Sequence, residues 1–376
     1  MMSPASPDLL LDVGDRLPDE TMQDERGRSV SLYRQTLAGR QVILYLSDDL
    51  ADADAKKHLT DFQKILLPIR QFDAFVFAVG RGTSADHAPL IQELGLQYLL
   101  LSDPEPSLCR RLGLGRRGPG PVTVVLDPNL RLIARIEPGA DVDHAAGGLA
   151  AVRAQRAKQG QTAVRIQAPV LILPNVLPPD LCRTLIRRWE SEPHVENSVA
   201  SGRVGGNVQR TTYKTRDDFF MPPDDPDATT VLQLLRRRLL PEIRKVFNFD
   251  ITHIETIRIG GYDAKNGGYF RPHRDNDSRI TAHRRFAMSL NLNSGEYEGG
   301  GVRFSEYGPQ IYHAETGGAV VFSCGLLHEA LPVTTGRRMG LFTFMYDDKE
   351  EQLRRRLETE DMGGRGTTDQ TREGTS

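Results

Sequence analysis

Arg271-Pro272-His273-Arg274-Asp275 sets an imidazole and a carboxylate two positions apart. In an extended strand alternate side chains share a face, so His273 and Asp275 point the same way and offer two ligands to one divalent cation. A third ligand must then come from a distant strand. His328 is the candidate, because it follows the apolar run Gly318 to Phe322 in the segment FSCGLLHEALPVTTGRR. Two imidazoles and one carboxylate fill one face of an octahedron and leave three positions open, the geometry of non-haem iron(II) oxygenase centres. Ten residues after His328 stands Arg338, beyond Thr334-Thr335-Gly336. A turn through that tripeptide would return Arg338 alongside the metal. A planar guanidinium captures a carboxylate through two parallel hydrogen bonds. Such an arginine has a purpose if a dicarboxylate co-substrate is anchored at one end and chelates the metal at the other. Arg337 sits beside it, and only one of the two can face inward from a strand.

The elements that must position these residues are β in type. From Ile251 to Tyr346 short β-type runs are separated by Gly, Asn and Pro, the pattern of a sandwich or barrel. Upstream, Pro178-Pro179-Asp180 opens the helical LCRTLIRRW, with Pro in the first turn. Thr229 to Phe247 predicts a longer helix that Pro241 must break or kink. Residues 13–157 read differently. Val42 to Leu46, Ala74 to Val79 and Tyr98 to Leu101 are short apolar strands. Ala53 to Phe72 predicts a helix, with Leu59, Phe62, Ile65, Leu66 and Ile69 at helical spacing. Ala85 to Leu94 and Pro106 to Leu112 predict two more. Val122 to Leu126 and Leu130 to Ile136 form a hairpin around Asp127-Pro128-Asn129. This alternation predicts a mixed α/β sheet. The expected organisation is a first domain over 1–160, a linker over 161–172, a second domain over 173–348 and a charged tail over 349–376, disordered towards its end.

Composition narrows the classes. A chain of 376 residues suggests two or three domains at about 150 residues each. Lys+Arg 48 against Asp+Glu 50 gives a net charge of -2, so the chain as a whole makes no case for nucleic acid or membrane as partner. Three cysteines cannot build a disulfide scaffold, and an odd number fits a reducing compartment. The longest apolar runs are far short of a membrane span. The opening MMSPASPDLLLDVGD lacks a basic segment followed by an apolar one, so no signal peptide is expected. These readings together predict a cytoplasmic protein.

The segment from Pro174 to Asp348 resembles the prolyl 4-hydroxylase-like group of Fe(II)/2-oxoglutarate dioxygenases. The resemblance is carried by NVLPPDLCRTLI, GGYDAKNGGYFRPHRDND, FAMSLNLN, GGGVRF, ETGGAVVF and HEALPVTTGRR, in that order, over nearly half the chain. It implies a double-stranded β-helix (jelly-roll) fold. It further implies that His273, Asp275 and His328 hold Fe(II), and that Arg338 binds the distal carboxylate of 2-oxoglutarate. A tyrosine ahead of the HxD motif often helps hold the co-substrate. Tyr262 is the match, and Tyr269 competes because the segment is longer than usual. O2 is the second co-substrate, and ascorbate the implied rescuer of oxidised iron. Related halogenases lack the carboxylate, so Asp275 points to hydroxylation. The group acts on prolyl residues of proteins and peptides, on free amino acids and on small metabolites. A tailoring oxygenase for a small metabolite and a non-catalytic jelly-roll binding module are the alternatives.

Residues 13–137 resemble the peroxiredoxin branch of the thioredoxin fold, through VGDRLPDETMQDERGRSVSLYR, VILYLSDDLADADAKKHLTDF, LGLQYLLLSDPEPSLCRRLGL and GPVTVVLDPNLRLIARI. The resemblance places a cis proline at Pro121 and a peroxidatic cysteine at the start of the first long helix. Ser47 to Lys57 contains no cysteine, and Cys109 lies in a later helix. Thiol peroxidase chemistry is therefore not expected. A role in packing, in binding a protein partner or in positioning substrate remains. His58, His87, His144, His194, His253, His283 and His313 read as surface or satisfied polar groups, and Cys182 and Cys324 as buried apolar ones. Arg236 to Arg238 and Arg354 to Arg356 read as solvated helix faces. Asn207 to Asp218, with Arg210, Lys214 and Arg216, reads equally as a lid or a plain surface loop.

Overall fold

In the computed structural model Gln41–Ser47 is buried along its whole length and lies inside a seven-stranded sheet. The structure describes residues 10–18, 20–32, 40–105, 107–115, 119–139, 141–158, 167–196, 198–200, 207–209 and 213–363. They fall into two units, Met1–Ala163 and Val164–Ser376. Arg210 lies outside the described residues, as do the first half of the expected linker and positions 364–376.

In the first unit Gln41–Ser47 pairs in parallel with Ala74–Gly80 and antiparallel with Val122–Leu126. Leu99–Ser102 extends one side and Leu132–Ile136 the other. A strand covered on both faces reads as a continuous apolar run, which is why Val42 to Leu46 shows no alternation. One face packs Leu44, Leu46, Phe77 and Val124 together; the other packs Ile43, Tyr45 and Val76 against Phe62 and Ile69 from the helices. This is a thioredoxin-like mixed sheet. The helix expected over Ala53 to Phe72 divides into Ala53–Lys64 and Leu66–Gln71. Pro68 offers no N–H, and its ring crowds the carbonyl of Lys64. The Gly120–Pro121 bond is trans, against the expected cis proline. Gly120, at φ +110°, turns the chain into the strand instead.

The second unit is built from antiparallel strands in two main sheets. The larger runs through Leu171–Leu173, Ala319–Ser323, Phe286–Asn291, Val333–Tyr346, Arg258–Asp263 and Asp217–Phe220 to Val195–Glu196. The smaller runs through Phe270–His273, His328–Ala330, Val302–Arg303 and Ile311–Tyr312. Two facing antiparallel sheets are what a jelly roll requires. Leu171 and Ile172, expected in the linker, pair with Val321 and Val320 in the larger sheet.

Alternation sorts the larger sheet's residues. Ile257, Ile259, Met339, Leu341, Leu290 and Val321 pack outward on the helices Pro179–Ser191, Pro226–Arg238 and Leu240–Phe247. Arg258, Tyr262, Ser289, Arg338, Phe342 and Phe344 face inward. Pro241 sits in the first turn of its helix, and the break falls at Leu239 as its position demands. Arg238 is not on a solvated face: it is buried and directs its guanidinium at the carbonyls of Asn175 and Val176. Val333–Tyr346 is one strand of 14 residues with no turn at Thr334 to Gly336. The chain passes from His328–Ala330 into it through Leu331-Pro332, and Gly336 adopts φ +73° within the strand. The charged start of the expected tail is the helix Asp348–Gly363. Its Glu350 and Glu351 are buried, Glu351 taking hydrogen bonds from Tyr346, Arg354 and Arg355. No described helix is long and apolar enough to cross a membrane.

Candidate active site

His273 and His328 are cross-strand partners in the smaller sheet, with ring centroids 4.3 Å apart. Asp275 lies just past the end of its strand rather than within it. Its N–H donates to the carbonyl of Cys324 at 3.0 Å, which turns the chain so that the carboxylate meets both rings. Asp275 Oδ1 is 3.4 Å from His273 Nε2, and Oδ2 is 3.3 Å from His328 Nε2. One ligand atom from each residue lies within 4.8 Å of the others, the one such group among the described residues.

The hydrogen bonds behind the rings set their tautomers. His273 Nδ1 is 2.7 Å from the carbonyl of Arg271, and His328 Nδ1 is 3.0 Å from that of Leu326. A carbonyl only accepts, so each Nδ1 carries the proton and each Nε2 turns a lone pair to the centre. Burial pushes the His328 imidazole down and Asp275 opposes it. Burial would raise Asp275, but positive charge at the centre, carried by His328 and His273 whenever their rings are protonated, holds its carboxyl well below the usual range. One anionic oxygen and two neutral nitrogens, with no sulfur, suit iron(II).

The group opens on a cavity of about 750 Å³ between the two sheets. Arg338 is buried in its wall and donates to Gly300 O at 2.7 Å, Ser289 Oγ at 2.7 Å and Asn291 Oδ1 at 3.2 Å. Arg337 points the other way and binds Asp263 at 2.6 Å, so alternation leaves Arg338 as the inward one. Tyr262 is the cross-strand partner of Arg338 and lines the cavity. Tyr269 is not in the lining; its ring lies beside Arg271.

Sequence reasoning missed a buried ion cluster beside Tyr262. Asp218 takes two hydrogen bonds from Arg216, at 2.6 and 3.0 Å, and one from Lys214 at 2.7 Å. Arg216 also donates to Tyr262 Oη at 3.0 Å. The segment read as lid or surface loop therefore supplies cavity wall through Tyr213, Lys214 and Arg216. Burial, then the like charge of Arg216, push Lys214 down to about 7 against the pull of Asp218. Burial would raise Asp218, yet Arg216 and Lys214 hold it at about 2. Gly260 makes the space: a Cβ there would lie 2.7 Å from Asp218 Oδ1. The signal was in the sequence, since Lys214, Arg216 and Asp218 recur at every second position. At the opposite end of the cavity Glu255 receives His283 at 3.0 Å and Arg284 at 2.7 and 2.8 Å.

Comparison with known proteins follows the same division. Residues 13–135 match the AhpC/TSA family, and residues 258–346 match the 2OG-Fe(II) oxygenase superfamily. Peroxiredoxin bcp1 of Schizosaccharomyces pombe is 29% identical over 115 residues, which cover 31% of this chain and 58% of that protein. The chain thus spans little more than half of the curated relative it matches. Among solved structures, a Pseudomonas putida prolyl-4-hydroxylase is 21% identical over 48% of this chain and 93% of its own, with a TM-score of 0.36. A Trichoplax adhaerens prolyl hydroxylase, solved with a hypoxia inducible factor peptide fragment, is 17% identical over 50% and 87%, with a TM-score of 0.40.

Proposed function

We propose that this chain, which joins an AhpC/TSA peroxiredoxin-like domain to a 2OG-Fe(II) oxygenase domain, hydroxylates an unactivated C–H bond of a prolyl or other amino-acid residue in a protein or peptide. The observation that carries the reading is the convergence of His273 Nε2, His328 Nε2 and an Asp275 carboxylate oxygen on one point, with both Nδ1 atoms tied to carbonyls. Iron(II) held there would supply O2 chemistry coupled to the conversion of 2-oxoglutarate to succinate and CO2, with ascorbate as the reductant that keeps the metal ferrous.

The chain's own residues bind, orient and shield. Arg338 offers a fixed fork to the distal carboxylate of 2-oxoglutarate, because Gly300, Ser289 and Asn291 hold it without neutralising it. Tyr262 walls the same end, its hydroxyl fixed by Arg216. Phe342 and Phe322 line the cavity and exclude water from the reacting centre. A space of about 750 Å³ leaves room for a substrate side chain beside a five-carbon co-substrate. The first domain carries no peroxidase activity of its own. Cys109, its single cysteine, is fully buried, and burial and Asp103 push its thiol up. That domain serves to bind a partner or position substrate.

The test is anaerobic visible absorption after addition of Fe(II) and 2-oxoglutarate, for wild type beside His273→Ala. A charge-transfer band in the wild type alone is expected, and succinate release then screens substrates. A folded wild type without the band sinks the oxygenase reading and favours the binding-module alternative.

A further inference from the structure

The cations that line the cavity fall into two groups. Lys214 and Arg216 share Asp218, Arg274 pairs with Glu306, Arg284 with Glu255, and Arg354 with Glu351. Arg338 and Arg258 have no carboxylate within ion-pair distance among the described residues. Arg338 is answered, under the reading above, by the co-substrate. Arg258 has only the more distant Asp218 and Glu255, neither in bonding contact.

Arg258 and Tyr262 lie on one face of the same strand, four residues apart. At a rise of about 3.4 Å per residue, their backbones are about 14 Å apart. Tyr262 marks the level of Arg338. A five-carbon diacid reaches about 7 Å, the span of two extended residues, so the co-substrate held at Arg338 does not serve Arg258. The Arg258 guanidinium lies over Phe344 at 4.9 Å and Phe220 at 5.8 Å. Two ring faces attract a cation without neutralising it. Its Nε is buried with no hydrogen-bond partner, whereas buried donors are ordinarily paired. Arg284 shares the Phe344 ring at 3.8 Å, but its charge is taken by Glu255, which leaves Arg258 as the cation at this end with no carboxylate in bonding contact. Burial and the like charge of Arg216 push Arg258 down to about 10 against the longer-range pull of Asp218 and Glu255, which leaves it a cation at neutral pH.

We propose that Arg258 anchors an anionic group of the primary substrate, a carboxylate or phosphate, at the end of the cavity away from Arg338. The inference rests on the oxygenase reading and narrows its substrate class to molecules or side chains with a negative charge near the hydroxylated carbon.

The test uses the full chain, loaded anaerobically with Fe(II) and 2-oxoglutarate. Its thermal midpoint is followed with acetate, for a carboxylate, or sulfate, for a tetrahedral oxyanion, against chloride at matched ionic strength. Wild type and Arg258→Lys should gain about 2–4 °C more than Arg258→Gln from at least one of the two, as expected of an anion held at several times its dissociation constant. The arm that gives the gain tells carboxylate from phosphate. Arg258→Met, which keeps the stem on Phe344, is the second neutral variant should Arg258→Gln fail to fold. The neutral variants also absorb the general stabilisation by sulfate. Equal gains in wild type and neutral variant, or no gain in either, overturn the proposal. The charge-transfer band in the same samples separates the two readings. A band without the Arg258-dependent gain sinks this inference alone, and a gain without a band sinks the oxygenase and leaves an anion site.

Discussion

Arg338 donates to a carbonyl, a hydroxyl and an amide oxygen, all neutral. The fork is fixed in direction and its charge is still available. Arg338→Gln should therefore weaken 2-oxoglutarate binding by about 2–4 kcal/mol, roughly thirty- to a thousandfold, read by titrating the charge-transfer band. Ser289→Ala removes one neutral acceptor and should cost about 1 kcal/mol, or about fivefold. Arg337→Ala, on the opposite face with Asp263, should leave the titration unchanged within about twofold. If Arg337→Ala has the larger effect, the inward assignment of Arg338 is wrong. The HxD spacing and His328 could be read from the sequence because ligand chemistry restricts residue type. The choice of Arg338 over Arg337 rested on its spacing from His328, and which of the two faces inward depends on how the chain enters a strand. The turn expected at Thr334 to Gly336 lies instead at Leu331-Pro332, and parity along the strand follows from that point.

At the scale of elements, Lys214, Arg216 and Asp218 tie the approach to the strand Asp217–Phe220 to the cavity wall. Asp218→Ala leaves two buried cations without their carboxylate and should cost about 3–5 kcal/mol of stability, measured by urea unfolding. A loss under about 1 kcal/mol would mean that Lys214, already pushed down to about 7, simply sheds its proton. In the first unit, the helices Ala53–Lys64 and His144–Lys158 bring His58 and His144 together, with ring centroids 4.9 Å apart. Burial first, then His58, push His144 down to about 4. Above pH about 6.5 folded and unfolded chains both carry the neutral ring, so nothing is lost there. As pH falls from 6.5 towards 4 the unfolded chain takes a proton that the folded one refuses. Stability should fall across that window by about 3 kcal/mol, at 1.4 kcal/mol per unit. His144→Gln should flatten the fall in acid unfolding curves. Apolar spacing predicted one helix over Ala53 to Phe72, which the structure divides at Ile65. Reading Arg236 to Arg238 as a solvated face was wrong, because burial of Arg238 depends on two distant carbonyls.

At the scale of the molecule, a redoxin-like sheet without a cysteine at the start of its first long helix precedes an oxygenase domain in which His273, Asp275 and His328 converge. The buried Cys109 should consume no peroxide above background and react with thiol reagents only on unfolding; rapid reaction in the native state would overturn that account. The division into α/β and β halves was legible because the two periodicities differ along the chain. Helix at Arg354 to Arg356 was legible too, but the burial of Glu350 and Glu351 on the helix Asp348–Gly363 was not, since its charges read as solvated. Three of its residues, Arg354, Leu357 and Glu358, line the same cavity as the metal ligands. Under the proposed function, selectivity would be set partly by a segment that contributes nothing to the chemistry. Deleting the helix should admit bulkier substrates with the charge-transfer band intact, read as a wider set of peptides supporting succinate release. Anything that grips this helix becomes a tuning handle for the range of molecules the enzyme accepts.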